Sequence, residues 1–203
     1  MWQARWQALM TRLGLSENQT TFDALIAAYS EKHRRYHDLS HLAAVLESLD
    51  QVEELTSQKD LIELALWFHD AIYKTKSSGN EAKSAQWART FLTENEANEE
   101  TINKVVEFIM ATEHNYVPVD EDQKLIVDID LAILGRSEEV YTKYQQDVRQ
   151  EYAWVPKFIY TRKRRALLTS FLARPRIYSC DVFYEALEAN ARQNISRELE
   201  GLG

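Results

Sequence analysis

Residues 59–71 read "KDLIELALWFHDA". Apolar side chains cover all but one side of a helix drawn through this stretch, so the sequence predicts a central, largely buried helix. The stretch nevertheless contains His69 and Asp70 near its end, and burying a charge beside Trp67 and Phe68 is costly unless another group pairs with it. The stretch therefore predicts a buried helix with a polar site at its end.

Helical spacing of apolar residues continues outward from this stretch over almost the whole chain, and sustained period-two alternation is rare. The segment "KTKSSG" (74–79) is a loop by composition. We find no internal repeat, low-complexity tract or domain boundary, so the sequence predicts an all-α fold in one domain over residues 1–203. The other helices are predicted up to about Gly14, at about 21–29, from "RYHDLSHL" (35–42) onward, and at about 80–95, 98–113, 121–134, 138–153, 157–173 and 181–199.

Composition limits the classes of protein to which the chain can belong. Its 203 residues suit one large domain, and five glycines with three prolines disfavour a turn-rich β fold. The net charge of −8 repels nucleic-acid backbones, so broad DNA or RNA binding is not expected. A small phosphorylated molecule remains a candidate partner, because a metal ion or local arginines can reverse the charge inside a pocket. The basic run "TRKRR" (161–165) is either a solvated helix face or a contact for an anion or a partner.

Targeting and redox features are sparse. The first residues, "MWQARWQALMTRLG", have the pattern of an amphipathic helix without the apolar core of a signal peptide. No apolar run approaches membrane-spanning length, so no membrane partner is expected. Cys180 is the only cysteine, which excludes an internal disulfide. We expect a cytoplasmic protein, and the sequence makes no prediction of its oligomeric state.

A few polar residues lie against apolar runs, where helix faces do not explain them. His41 precedes "LAAVL", the pair His69–Asp70 ends the central stretch, and Asp128 and Asp130 lie within "KLIVDIDLAILG". Imidazole and carboxylate together are good ligands for zinc, manganese or iron(II), and a cation would offset the cost of burying them. The alternative for each is a hydrogen-bonded core histidine or a capping aspartate. A His-Asp pair alone decides little, because it also occurs at residues 37–38.

The ordered set of a histidine, a His-Asp doublet and a later aspartate resembles the HD superfamily of metal-dependent phosphohydrolases. "HLAAV" is similar to the family's His-x-x-x-Val helix, and "IDLAILG" is similar to its Ala-Asp-Arg-Leu segment, with Leu131 where the family has arginine. The combination of "RYHDLSHL", "FHDAIY", "NEAKSA", "DIDLAILG" and "YQQDVRQEY" looks like a bacterial subgroup of HD-type phosphohydrolases without an assigned substrate. The resemblance covers nearly the whole chain.

This resemblance implies a fold, a cofactor and a reaction. The fold would be an HD-type helical bundle, and the cofactor a divalent metal ion (Mn, Zn, Fe, Co, Ni or Mg) bound by His41, His69, Asp70 and Asp130, with Asp128 as the alternative to Asp130. The protein would be an enzyme, a hydrolase that acts on a small phosphoester, with a nucleotide as one candidate. A metal-activated water would attack the phosphorus, and Asp70 or Asp130 would orient that water.

The same resemblance gives His37 a role. "YHDLSH" is similar to the Tyr-His-Asn-x-x-His segment of cyclic-nucleotide phosphodiesterases, which share the HD core, and this implies that His37 is a general acid beside the ligand His41. Both are expected on the helix that starts at "RYHDLSHL", where a four-residue spacing predicts a shared face with Cβ atoms roughly 5–6 Å apart. Histidine suits proton transfer near neutral pH. The alternative is that His37 is a cap or hydrogen-bonds a carboxylate behind the metal ligands.

Five further residues are candidates for contacts with substrate. Arg34 or Arg35 could hold phosphate oxygens in a bidentate fork, and the Arg-x-Tyr-His pattern of the subgroup favours Arg34; a surface salt bridge is the alternative for both. Asn80 and Glu81 open a helix after the 74–79 loop, where an N-cap or a favourable helix-dipole charge would explain them equally well. His114 ends "EFIMATEH" and would line the site, bind a second metal or cap a helix.

Two other functional classes remain open. A non-catalytic regulatory module could keep the metal- or nucleotide-binding HD site without turnover. A metal-dependent oxygenase with a di-iron site would need additional histidine ligands, and the chain has five histidines in all.

Overall fold

The computed structural model describes residues 2–113 and 116–202 and confirms the all-α fold, since these residues form ten α-helices and no strand. Two short 3₁₀ turns, Glu53–Leu55 and Ala132–Gly135, follow α3 and α7. The helices are α1 Trp2–Leu13, α2 Gln19–Tyr29, α3 Leu39–Asp50, α4 Lys59–Phe68, α5 Asn80–Glu94, α6 Glu99–Ala111, α7 Glu121–Leu131, α8 Glu138–Glu151, α9 Lys157–Leu172 and α10 Asp181–Gly201.

Contacts between residues divide the chain into two compact units, residues 1–127 and 128–203, and the division falls within α7. The single domain expected over residues 1–203 stays a prediction. None of the helices in the described part of the chain is both long enough and apolar enough to cross a bilayer.

In the first unit α4 is the central helix, as predicted. It packs against α1, α3, α5 and α6, and its residues from Ile62 to Phe68 are all buried. Aromatic rings surround its end: the ring of Trp6 lies 5.3 Å from Trp67 and 5.6 Å from Phe91, measured between centroids. Such ring pairs add to the stabilisation that comes from burying their apolar area. The end of α4 is therefore packed among aromatic rings inside the first unit.

Glu63 is the charged residue within the apolar run of α4, and it is 1% exposed. Its carboxylate accepts hydrogen bonds from Arg5 and Arg12 of α1, each at 2.7 Å. Two guanidinium groups offset the cost of burying this carboxylate. These ion pairs join α1 to α4.

The second unit is built around α10, which contacts α9 and the 3₁₀ turn after α7. Gly135 in that turn lies so close to α10 that a Cβ atom built on it would stand 2.7 Å from the carbonyl oxygen of Leu187. Only glycine permits this approach. Arg164 of the "TRKRR" run is buried and bonds Glu198 of α10 at 2.8 Å, so the run is not a uniformly solvated face.

Candidate metal centre

The first His-Asp doublet, residues 37–38, marks the start of a helix. Asp38 is the N-cap of α3, and its Oδ1 accepts hydrogen bonds from the Ser40 N–H at 2.8 Å and from the Ser40 hydroxyl at 2.6 Å. The helix therefore begins at Leu39, and His37 lies in the preceding turn. The prediction that His37 and His41 share one helix was wrong, because an aspartate whose side chain caps a helix ends it on the N-terminal side.

The second His-Asp doublet, residues 69–70, lies just beyond the C-terminal end of α4. His69 follows Phe68 and still donates its backbone N–H to the carbonyl of Ala65 at 2.8 Å. Its Nε2 lies 3.1 Å from Nε2 of His41, and both rings are buried. Oδ2 of Asp70 lies 3.3 Å from His69 Nε2 and 3.5 Å from His41 Nε2. Three atoms of the type that binds metals thus converge inside the first unit.

The hydrogen bonds around His69 fix which ring nitrogen can bind a cation. Nδ1 of His69 lies 2.8 Å from the carbonyl of Leu66, so Nδ1 carries the proton and donates it. This leaves the lone pair of Nε2 directed at His41 and Asp70. Lone pairs and a carboxylate that face one another repel unless a proton or a cation lies between them. A metal-binding histidine usually has its other ring nitrogen held in this way, so His41, His69 and Asp70 have the arrangement of a site that could hold a metal ion.

Asp70 is held in its charged form. Burial opposes ionisation, but the positive charge that the neighbouring imidazoles carry when protonated, first that of His69 and then those of His37 and His41, lowers the pKa of this carboxyl well below its usual range. The Asp70 backbone N–H donates to the Tyr29 hydroxyl at 3.3 Å, and burial raises the pKa of Tyr29 to about 12. A neutral phenol and a carboxylate are therefore the states of these groups near neutral pH. A carboxylate is also the form that binds a metal.

The two aspartates in "KLIVDIDLAILG" have different environments. Asp128 is fully buried and accepts hydrogen bonds from the backbone N–H groups of Ser179 at 3.0 Å and Cys180 at 2.6 Å, where α10 begins. Burial raises the pKa of Asp128 to about 6 in spite of these bonds. Asp130 is half-buried in the last turn of α7. Both carboxylate oxygens of Asp128 already accept hydrogen bonds at the start of α10, which favours Asp130 as the metal ligand. That assignment stays a prediction.

The ring of His37, in the turn before α3, lies beside the cluster. Its ring stacks on Tyr73 with centroids 4.0 Å apart and 22° between the planes. The ring of Tyr36 lies edge-on at 4.8 Å, and the ring of His41 at 5.8 Å. Tyr73, on which His37 stacks, was not predicted as a site residue. Its place in the "FHDAIY" motif is the sequence feature that could have identified it.

The two arginines beside His37 differ in exposure. Arg35 is exposed, whereas the side chain of Arg34 is fully buried. Both nitrogens of the Arg34 fork donate to backbone carbonyls of the first unit. The structure therefore places Arg35, rather than Arg34, where a dissolved anion can reach it.

The remaining candidates lie around the 74–79 loop or outside the described residues. Gly79 is the N-cap of α5 with φ +68°, so Asn80 is the first residue of the helix instead of its cap. The Asn80 side chain accepts from the Lys74 N–H at 3.2 Å and donates to its carbonyl at 3.4 Å, which closes the loop. Glu81 is half-buried in the first turn. His114 lies outside the residues that the structure describes.

Comparisons with protein-family models, with curated proteins and with solved structures find no match to this chain.

Proposed function

We propose that the protein is a divalent-metal-dependent phosphohydrolase with an HD-type helical bundle, acting in the cytoplasm on a small phosphoester. The observation that carries the proposal is the convergence of His41, His69 and Asp70 within 3.5 Å at the end of a buried helix. A third imidazole, that of His37, lies beside this cluster. The sequence resemblance to the HD superfamily supplies the reaction class.

The proposed ligands are His41, His69, Asp70 and Asp130, whose carboxylate oxygen is a possible metal ligand. Two imidazoles with two carboxylates suit Mn, Zn, Fe, Co, Ni and, with waters, Mg. When bound, a divalent cation of this kind polarises a phosphoryl oxygen and lowers the pKa of a water ligand. Asp70 or Asp130 would orient that water for attack.

Each remaining residue has a distinct task. His37, held flat against Tyr73, donates a proton to the oxygen of the departing alcohol. Arg35, whose side chain is exposed, binds the non-bridging phosphate oxygens. Asn80 closes the loop before α5, and Glu81, in the first turn of that helix, is proposed to contact the substrate.

The experiment that tests this function is a hydrolysis screen with metal-loaded protein. Phosphomonoesters, phosphodiesters and nucleoside monophosphates are incubated with wild type and with Asp70→Ala in the presence of Mn²⁺ or Zn²⁺. Turnover by the wild type alone supports the proposal. Stoichiometric metal without turnover of any phosphoester would instead identify a non-catalytic regulatory module. Two bound irons and consumption of oxygen would identify an oxygenase.

The choice between the two α7 aspartates gives a paired prediction. Asp130→Ala is expected to lose metal, because it removes a proposed ligand. Asp128→Ala is expected to keep metal and to unfold more easily by about 0.5–2 kcal/mol, because it removes the side chain that holds the start of α10. Metal content and urea unfolding of both variants measure this. Loss of metal from Asp128→Ala alone would reverse the assignment.

His37→Ala is expected to keep its metal and to lose turnover selectively. General-acid catalysis contributes about 10²- to 10⁴-fold, and it matters most when the leaving alcohol is a poor one. Turnover of alkyl phosphates should therefore fall far more than turnover of nitrophenyl phosphate. His33→Ala controls for the loss of a histidine from the same segment. Because His33 Nε2 lies 2.9 Å from the carbonyl of Tyr73, any effect of this variant is expected to be the same on both kinds of substrate. An equal loss on both kinds of substrate would contradict the general-acid role.

A further inference from the structure

We propose that Arg34 is a positioning residue of the metal centre, which fixes the turn carrying Asp70 and the turn carrying His37 in one arrangement. It does so through backbone carbonyls, without touching metal or substrate. The proposal rests on the proposed metal-dependent function and replaces the phosphate-binding role that the sequence pattern suggested for this residue.

The contacts of the Arg34 guanidinium join two segments that are distant in sequence. Nη1 donates to the carbonyl of Asp70 at 2.6 Å and to the carbonyl of His37 at 3.0 Å. Nη2 donates to the carbonyl of Ala71 at 3.0 Å, and Nε to the carboxylate of Glu31 at 3.1 Å. A single nitrogen thus bridges a proposed ligand residue and the proposed general acid. The planar fork of arginine has the donor geometry that this requires.

Two of the carbonyls to which Arg34 donates, those of Asp70 and Ala71, have no acceptor role within a helix. α4 ends at Phe68, so the carbonyls of Asp70 and Ala71 lie beyond the helix. Carbonyls at and past the end of a helix need partners from elsewhere. Because Arg34 supplies the donors, the backbone at Asp70 has a fixed orientation. The direction of the Asp70 carboxylate toward the two imidazoles follows from that orientation.

Two aromatic rings hold the guanidinium in place. Its central carbon lies 5.2 Å from the centroid of the Tyr29 ring and 5.6 Å from that of Tyr73. Both rings also contact the site, since Tyr29 accepts from the Asp70 N–H and Tyr73 stacks on His37. Cation–π attraction is stronger when the cation is shielded from water, as Arg34 is. Arg34 is thus packed between Tyr29 and Tyr73, each of which contacts a different residue of the site.

The test compares metal affinity in Arg34→Gln, Arg34→Lys and a matched control, Arg164→Gln. Arg164 is also a buried arginine, but it lies in the second unit and pairs with Glu198. Dissociation constants for Mn²⁺ and Zn²⁺ are measured by competition with a chelator. Arg34→Gln is expected to bind about 10- to 100-fold more weakly, the usual effect of losing a group that orients a metal ligand. Arg34→Lys should fall between this variant and the wild type, because an ammonium keeps the charge without the fork.

A thermal measurement separates positioning from a general loss of stability. Arg164→Gln is expected to unfold at a lower temperature while keeping the full rise in melting temperature on adding Mn²⁺. Arg34 variants are expected to lose much of that rise, because their metal affinity is reduced. Should Arg34→Gln not fold, Arg34→Lys carries the test alone, since it keeps the buried charge.

Each result has a defined meaning for the two proposals. Wild-type affinity in Arg34→Lys, and in Arg34→Gln if that variant folds, would overturn the positioning role and leave the metal centre intact. An equal loss of affinity in Arg164→Gln would also overturn it. A wild type that binds neither metal would overturn both the metal centre and the role of Arg34 in it.

Discussion

The Asp70→Ala variant is expected to lose its bound metal while keeping its helical fold. Oδ2 of Asp70 is the carboxylate oxygen within 3.5 Å of both imidazoles in the first unit. Removing it takes away one of the two proposed carboxylate ligands, so less negative charge remains to hold a divalent cation. We expect affinity to fall by more than the roughly 10- to 100-fold that follows the loss of an outer partner. Elemental analysis measures the metal, and circular dichroism measures the helices.

The chain contains a matched control for this experiment. Asp38 belongs to the other His-Asp doublet, and its carboxylate caps α3. Asp38→Ala is expected to keep metal while its free energy of unfolding falls by about 1 kcal/mol, the usual effect of losing an N-cap. Full metal occupancy in Asp70→Ala, or an equal loss in Asp38→Ala, would show that the second doublet is not the metal ligand.

The largest effect on stability is expected from Glu198→Ala in the second unit. Glu198 is 3% exposed and accepts hydrogen bonds from Arg164 at 2.8 and 3.0 Å and from the Tyr141 hydroxyl at 2.5 Å. Truncating it leaves a buried guanidinium without its counter-charge. Breaking a buried ion pair in this way costs about 3–5 kcal/mol. Urea unfolding followed by circular dichroism measures the change.

Two variants sharpen the interpretation of this result. Glu200→Ala removes an exposed carboxylate from the same helix and is expected to change stability by at most about 0.5 kcal/mol. Glu198→Gln keeps a hydrogen-bond acceptor without the charge, so its effect should lie between those of the two alanine variants. Equal unfolding curves for Glu198→Ala and Glu200→Ala would contradict the buried network.

Most helix bounds could be predicted from the sequence, because apolar periodicity marks the buried face of each helix. α5, α8 and α9 begin at the predicted residues and end within two residues of the prediction. The errors lie where a local hydrogen bond competes with the periodic pattern. Asp38 caps α3 and excludes His37 from that helix, and the last predicted turn of α7 is a 3₁₀ turn, Ala132–Gly135. Periodicity alone does not reveal either event.

The site was predictable to the extent that polar residues lay in apolar surroundings. This criterion selected His41, His69 and Asp70, which the structure brings together. It failed for arginines, whose burial depends on carbonyls or carboxylates from distant segments. Arg34 was expected to meet phosphate and instead donates to backbone carbonyls, and Arg164 lies inside although its neighbours are exposed.

The most direct test of the metal centre is the metal content of wild-type protein beside His69→Ala, purified without refolding. His69 is chosen because its Nε2 faces both His41 and Asp70. The predicted result is a near-stoichiometric transition metal in the wild type and none in the variant. If neither protein holds metal after soaking with manganese, zinc and iron(II), then His69 and Asp70 are polar residues of the core, and the proposed enzyme has no metal centre.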